Sequence, residues 1–442
     1  MIPTRGVALI ASGVRWCPGG YPRSVRFSVG INYWPRRSAM AMWRRFDAGE
    51  IREDFARIAA LGFDAVRFFL RWDDFQPHAD TLDAAMLARL EAVADIAAEA
   101  GLRTMPTLFT GHMSGVNWIP PWALDTSTPH GRFRTIAGDV ESPYGIGDFY
   151  KKGPLLDAQL VFARAVGERL RAHPAVLAWD LGNEFSNLRA PADQYEAAEW
   201  SRRLTAALEE SSAIPVTAGT HGEDLTRDRS IRFFTLCMPY AFATMHGYPV
   251  YSGFSRSRLD PEVVPFLAHL TAAFSKKPVL FNELGNPTCP PHKLSPFERV
   301  ALPDEPPNPS VSPDDPVLAS YACLSEAEMA SYCTNVLERL HADGRLGAYW
   351  WCWADYADEL RREPPFDRAP HELSFGIVRS DGSEKPVAAA LAAFARERRT
   401  VLAPDDMPVI ADTYYYRTLP DSTNTLYDAW VRSIEERRGA AR

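Results

Sequence analysis

The chain predicts an eight-stranded (β/α)8 barrel with long loops after strands three, six and seven. Three observations carry that reading. Apolar, strand-like runs alternate with helix-like segments eight times between residues 26 and 397. Two glutamates, Glu184 and Glu283, stand at the C-terminal exits of two of those runs. The longest irregular connections all follow strand C-termini, the end at which barrel enzymes build their sites.

Phe27–Tyr33 reads as strand one, and Ile51, Phe55 and Ile58 recur at helical spacing before Gly62. Ala65–Phe69 is strand two. Asp83 is placed to cap a helix carrying Leu87, Leu90, Val93 and Ala97, with Gly101 as its stop. Thr104–Leu108 is strand three, Ala158–Arg171 a helix, and Val176–Leu181 strand four. Asp193–Glu210 is helical and Pro215–Gly219 is strand five, with Glu223 and Asp224 suited to cap the next helical turn. Phe242–His246 is strand six, Pro265–Phe274 a helix, and Val279–Asn282 strand seven. Ser325 and Glu328 form a capping box for a helix running to about Ala342. Gly347–Trp353 is strand eight, and Pro386–Arg396 the last barrel helix. A doubly wound sheet uses the same alternation, but no glycine-rich phosphate loop follows strand one.

The expected organisation is an N-terminal extension over 1–25, a catalytic barrel over 26–400, and a C-terminal arm over 401–442 that packs on the barrel and includes Tyr414, Tyr415 and Tyr416. The long loops cover 109–157, 247–264 and the proline-rich 284–324.

Composition narrows the function. Of 442 residues, 46% are hydrophobic and 24% charged, as in an ordinary globular protein. A net charge of −8 argues against nucleic acid as a partner. No run approaches the about 18 apolar residues of a membrane span. The cysteines Cys17, Cys237, Cys289, Cys323, Cys333 and Cys352 are scattered, without CxxC or a histidine at ligand spacing, so we expect free thiols, a cytoplasmic setting, no metal and no cofactor. The oligomeric state is not legible.

A carboxylate at the exit of a buried strand is poorly placed to help a core and well placed to face a cleft. Two of them suit sugar-bond hydrolysis, where one carboxylic acid protonates the leaving oxygen and a second carboxylate attacks or activates water. Each is preceded by asparagine, Asn183 and Asn282. This pattern resembles the retaining (β/α)8-barrel glycoside hydrolases, and most nearly glycoside hydrolase family 5. The resemblance implies that Glu184 is the acid/base, Glu283 the nucleophile, and Asn183 a partner of the sugar 2-hydroxyl. It extends to Arg67 in Ala65-Val66-Arg67-Phe68, which would support the nucleophile. His246 and Tyr248 match the His-x-Tyr signature of strand six, and Trp351, then Trp353, the sugar-stacking tryptophan of strand eight. Strand alternation sets Tyr349, Trp351 and Trp353 on one face and Trp350 on the other.

Further candidates for sugar contact at the mouth are Trp34 after strand one, Trp72, Asp73 and Asp74 after strand two, and His112, Asn117 and Trp118 after strand three. The segments Gly30–Pro35 and Trp72–Pro77 look most like the branches of the family acting on β-mannosides. The resemblance therefore implies an exo-β-mannosidase on short glycans such as Manβ1-4GlcNAc, or a β-mannanase. The alternatives are a β-glucosidase or cellulase-like hydrolase and a non-catalytic carbohydrate-binding barrel, each with an oligo- or polysaccharide partner. An aldolase-like barrel lacks its strand-end lysine here.

Overall fold

The computed structural model describes residues 24–288, 324–402 and 412–440, with two short N-terminal strands, Val7–Ala8 and Arg15–Trp16. The rest of the N-terminal extension, most of the loop expected at 284–324, and Cys17, Cys289 and Cys323 lie outside the described residues.

Eight parallel strands form the core: β1 Ser28–Tyr33, β2 Ala65–Arg71, β3 Arg103–Thr110, β4 Trp179–Asn183, β5 Val216–Gly219, β6 Ala243–His246, β7 Val279–Leu284 and β8 Gly347–Trp350. Their order is β5-β4-β3-β2-β1-β8-β7-β6, so only β5 and β6 lack a regular ladder. Side chains close that seam. Thr217 donates to the Phe242 carbonyl at 3.0 Å, Thr220 to Thr244 at 2.5 Å, and Thr244 back to Ala218 at 2.5 Å. The backbone N–H of His246 donates to the Thr220 carbonyl at 2.9 Å. The sheet is a (β/α)8 barrel.

The helices include α1 Ala48–Ala60, α2 Ala84–Glu99, α3 Pro154–Arg169, α4 Gln194–Ser211, the short α5 Phe233–Leu236, α6 Val263–Ser275, α7 Glu326–Ala342, α8 Pro386–Arg396 and α9 Asp421–Ala440, besides short helical turns at Trp72–Phe75, Glu223–Thr226 and Asp412–Arg417. The Asp83 carboxylate caps α2 by accepting from the N–H groups of Ala85 and Met86. Ser325 and Glu328 make the reciprocal capping box at the start of α7. Both caps satisfy amides that a helix start leaves without partners.

Beyond the barrel, α9 packs on α6: the Tyr427 ring lies 5.0 Å from that of Phe266, and its hydroxyl donates to Asp260 at 2.7 Å. Tyr415 meets Phe274 at 4.8 Å. The loop after β3 carries structure of its own, a four-stranded sheet that includes the hairpin His112–Met113 and Val116–Trp118, and a two-stranded one.

Two strands differ from the apolar pattern. The run at Val176 is buried, but it makes only an isolated bridge to Thr104, and the ladder of β4 begins at Trp179. Apolarity reports burial; pairing needs a partner strand in register as well. At the other side, β8 stops at Trp350. The Trp351 N–H turns to the Leu284 carbonyl and the Trp353 N–H to that of Asn32, so alternation does not carry past residue 350. Tyr349 points into the barrel, where Gly30 gives it room: a Cβ there would lie 2.3 Å from its ring.

Candidate active site

The strand ends bring seven polar side chains together at one end of the barrel. Arg67, on β2 and fully buried, is the hub. Its Nε donates to Asp180 Oδ2 at 2.9 Å, Nη1 to Asn32 Oδ1 at 3.0 Å and to Glu283 Oε2 at 2.8 Å, and Nη2 to Asn183 Oδ1 at 2.9 Å. A planar guanidinium with five donors suits this simultaneous bracing of β1, β4 and β7. Gly219 on β5 makes it possible, because a Cβ there would lie 3.1 Å from Arg67 Nη2 and 3.3 Å from His246 Nε2.

Glu283 is held on both oxygens. Arg67 takes Oε2, and the Tyr248 hydroxyl donates to Oε1 at 2.6 Å. Burial, with Glu283 adding to it, pushes the Tyr248 hydroxyl far above its usual range, so it stays a donor.

Glu184 begins immediately after β4, in the left-handed region at φ 45°, ψ 44°. A β-carbon-bearing residue adopts that conformation at a cost of order 1–3 kcal/mol, and such residues cluster at functional sites. The Glu184 N–H bonds the Gly219 carbonyl at 2.9 Å, which fixes the turn. Three side chains surround its carboxyl. Asn187 donates to Oε2 at 3.0 Å, His246 Nδ1 lies 3.2 Å from Oε1, and His112 Nε2 lies 3.7 Å from Oε2.

His246 Nδ1 is also 3.5 Å from Glu283 Oε2. Burial drives both histidines down, His246 to about 3 and His112 to about 4, with the adjacent glutamates opposing. Both are neutral at neutral pH, and a proton on His246 Nδ1 lets that ring donate to Glu184.

One oxygen of Glu184, one of Glu283 and a nitrogen of His246 all lie within 4.8 Å of one another. That trio could take a cation, but Arg67 already donates to Glu283, so the donor set fits proton handling better. The nearest oxygens of the two carboxyls are thus closer than the about 6.5–9.5 Å at which an inverting pair stands apart to admit water.

The remaining candidates divide. Asn117 bonds His112 Nδ1 at 2.8 Å and donates to the Asn187 carbonyl at 3.2 Å, so it is a brace for the site. Trp351 rests edge-on against Phe69 at 5.7 Å, and Phe69 carries the Arg67 guanidinium at 4.6 Å, which ties Trp351 to the cluster. Trp353 is not at the mouth. Its fully buried ring lies under Arg57 at 5.4 Å and bonds Asp54 on α1, because the chain leaves β8 before the alternation reaches it.

Trp34 is fully buried and stacks on Phe69 at 5.3 Å, and Trp72 is fully buried with its N–H on Gln76 at 2.7 Å. Trp72 is thereby a satisfied core residue, whereas Trp34 shares Phe69 with Trp351 and its buried indole N–H meets no acceptor among the described residues. Trp118 lies beneath Arg71 at 4.5 Å. Asp73 and Asp74 are ion-paired to that arginine at 2.7 and 3.1 Å. Glu223 and Asp224 stand in the first turn of a short helix that has no side-chain cap bond; Glu223 is gripped by Arg132 at 2.6 Å and Arg229 at 2.8 Å, and Asp224 accepts from Ser186 at 2.6 Å.

Asn32, Asp180, Asn187 and Glu372 are the site residues that the sequence pattern did not single out. Asp180 carried a signal, a carboxylate inside the apolar run Trp179-Asp180-Leu181.

An eight-stranded barrel with two neighbouring glutamates, one of them held by the strand-two Arg67 and by Tyr248 just after strand six, is the arrangement that the resemblance to barrel glycoside hydrolases implies. Comparison with solved structures agrees, and the chain has the fold of the glycoside hydrolases of family 5. It is similar to the exo-β-1,4-mannosidase Op5Man5 from Opitutaceae bacterium strain TAV5, at 26% identity and a TM-score of 0.66 over 89% of this chain. The match spans 61% of the length of that enzyme. A variant of GH5_18 from Streptomyces cattleya, solved in complex with Manβ1-4GlcNAc, matches at 20% identity and a TM-score of 0.72, over 93% of this chain and 92% of that one. GH5_18 from Bifidobacterium longum subsp. infantis matches at 19% identity and a TM-score of 0.66, over 87% and 80%. No family model and no curated protein matches the chain. No helix among the described residues is long and apolar enough to cross a membrane.

Proposed function

We propose that the chain is a retaining β-glycoside hydrolase working by double displacement, with Glu283 as nucleophile and Glu184 as acid/base. The observation that carries this reading is the Glu184–Glu283 pair, with oxygens within 4.8 Å of each other and unequal partners. Glu283 attacks the anomeric carbon while the Glu184 carboxylic acid gives its proton to the departing glycosidic oxygen. A glycosyl ester on Glu283 results. Glu184, now a carboxylate, removes a proton from water, which attacks the same carbon and restores Glu283.

Arg67 and Tyr248 hold Glu283 as an oriented anion, as attack requires. Asn187 and the two neutral histidines touch Glu184 without placing a full charge beside it, so its proton can leave and return. Asn183, held by Arg67 and by the His112 carbonyl at 3.0 Å, is oriented toward the sugar 2-hydroxyl in this reading, and Trp351 floors the ring.

The substrate we favour is a β-mannoside, cleaved from the non-reducing end of a short glycan such as Manβ1-4GlcNAc. The mannoside-acting neighbours support it, as do the segments after strands one and two. The test is hydrolysis of nitrophenyl β-mannoside, β-glucoside and β-galactoside alongside Manβ1-4GlcNAc and longer manno-oligosaccharides. Mannoside turnover is expected; glucoside turnover without mannoside turnover would overturn the substrate, and no turnover of any glycoside would leave a carbohydrate-binding barrel.

A further inference from the structure

A third carboxylate belongs to the mouth, and double displacement does not use it. Glu372 lies in the turn Pro370–Ser374 that comes after β8, and it is 8% exposed. Its oxygens accept from two other loops: Oε2 from the Ser114 hydroxyl after β3, and Oε1 from the Tyr251 hydroxyl after β6, each at 3.0 Å. The Tyr251 hydroxyl also meets His371 Nε2 at 2.9 Å. Three loops from separated strands therefore converge on one side chain.

Its surroundings set it over the cluster. Ser114 is at the tip of the hairpin whose His112 approaches Glu184. The Tyr251 ring packs at 5.4 Å on Tyr248, the donor to Glu283, and Phe375 packs on the same ring at 6.0 Å. Glu372 is thus suspended between the group facing Glu184 and the group facing Glu283. Burial pushes its carboxyl up to about 7, with the charges of Glu283 and Glu184 adding and the bonds from Tyr251 and Ser114 opposing.

A buried carboxylate beside two others is costly unless donors meet it. Arg67 is committed to Asp180 and Glu283. Ser114 and Tyr251 supply one hydroxyl each, and His371 Nε2 stands 3.5 Å from Oε1, beyond a good hydrogen bond, whereas an ionised carboxylate accepts up to about four. Sugar hydroxyls are donors of the kind that remains. Glu184 and Glu283 bracket the anomeric carbon, so a carboxylate hung from the loops above them meets the other end of the same ring.

Resting on the glycosidase reading, we propose that Glu372 reads the free non-reducing end of the sugar, accepting hydrogen bonds from hydroxyls remote from the anomeric carbon. A sugar substituted there is refused, which makes cleavage exo.

The experiment compares the nitrophenyl β-glycoside that wild type prefers with its 3-, 4- and 6-deoxy analogues, on wild type, Glu372→Gln and Glu372→Asp. Wild type should lose roughly 10- to 100-fold in kcat/KM on at least one deletion. Glu372→Gln should fall by a similar factor on the parent sugar and become indifferent to that same deletion. Equal losses by Glu372→Gln on the parent and all analogues would overturn the proposal and leave Glu372 a loop clasp. So would a wild type that tolerates every deletion within about threefold, a result that needs no variant to fold. If wild type turns over no glycoside, the glycosidase reading fails separately. Glu372 is then tested by fluorescence titration with the parent and deoxy monosaccharides, where equal affinities overturn it.

Discussion

Arg67 Nη1 donates to Glu283 Oε2 at 2.8 Å, joining β2 to β7, and the same guanidinium holds Asp180 on β4 at 2.8 Å. One buried cation therefore pairs with two carboxylates and ties together the strands that carry the two glutamates of the candidate pair. Removing one member of a buried, hydrogen-bonded ion network leaves an uncompensated charge and costs about 3–5 kcal/mol. Arg67→Met should lower stability by that order, read by denaturant unfolding, and abolish glycosidase activity. Arg67→Lys should retain more stability and little activity, because a single ammonium does not reproduce the fork. Wild-type activity in Arg67→Lys would contradict the orienting role.

Tyr248→Phe tests the other hold on Glu283. The 2.6 Å bond is made to an ionised group, and such bonds contribute about 1.5–3 kcal/mol. A drop of roughly 10- to 100-fold in kcat/KM is expected with little change in melting temperature. A change confined to stability would make the tyrosine a packing residue.

The two tryptophans after β8 should separate cleanly. Trp353 bonds Asp54 and is buried away from the mouth, so Trp353→Phe should cost about 1–3 kcal/mol of stability and leave KM unchanged. Trp351→Ala should raise KM strongly through loss of the stacking floor. Equal effects of the two on KM would contradict the assignment.

Glu372 should also make stability depend on pH. Its folded pKa, about 7, stands above the ordinary glutamate value, so its contribution is fully present below about pH 4.5 and is lost as pH rises through 7. The shift corresponds to about 3 kcal/mol across that window. Glu372→Gln, which stays neutral, should gain on wild type in melting temperature between pH 4.5 and 7. His112 and His246 act in the opposite sense, losing stability as pH falls below 6.5, but they are common to both proteins and cancel in the difference. A pH-independent difference would contradict the burial argument.

Much of the barrel was legible because its signals are local. The caps at Asp83 and Ser325 are read from residue type and spacing, and the glutamates at the ends of β4 and β7 from where apolar runs stop. The residues that the pattern missed depend on tertiary placement. Alternation predicted a shared face for Trp351 and Trp353, yet β8 ends one residue before Trp351, at a break set by pairing with Asn32 and Leu284. Trp72 comes after a strand end as a mouth residue would, but turns its N–H to Gln76 in the core. Glu372 carried no mark in the sequence, and its meaning comes from Ser114 and Tyr251, which are far away in the chain.

Double displacement requires that Glu283 become covalently glycosylated while Glu184 handles the proton. Replacing Glu184 by alanine should reduce hydrolysis of poorly activated glycosides by about 10²- to 10⁴-fold. The most direct measurement is mass spectrometry of a proteolytic digest after inactivation with a 2-deoxy-2-fluoro β-glycosyl fluoride of the preferred sugar. One fluoroglycosyl adduct is expected, on the peptide bearing Glu283 and localised to that carboxyl. An inactivated enzyme labelled on Glu184 or elsewhere, with Glu283 unmodified, would contradict it.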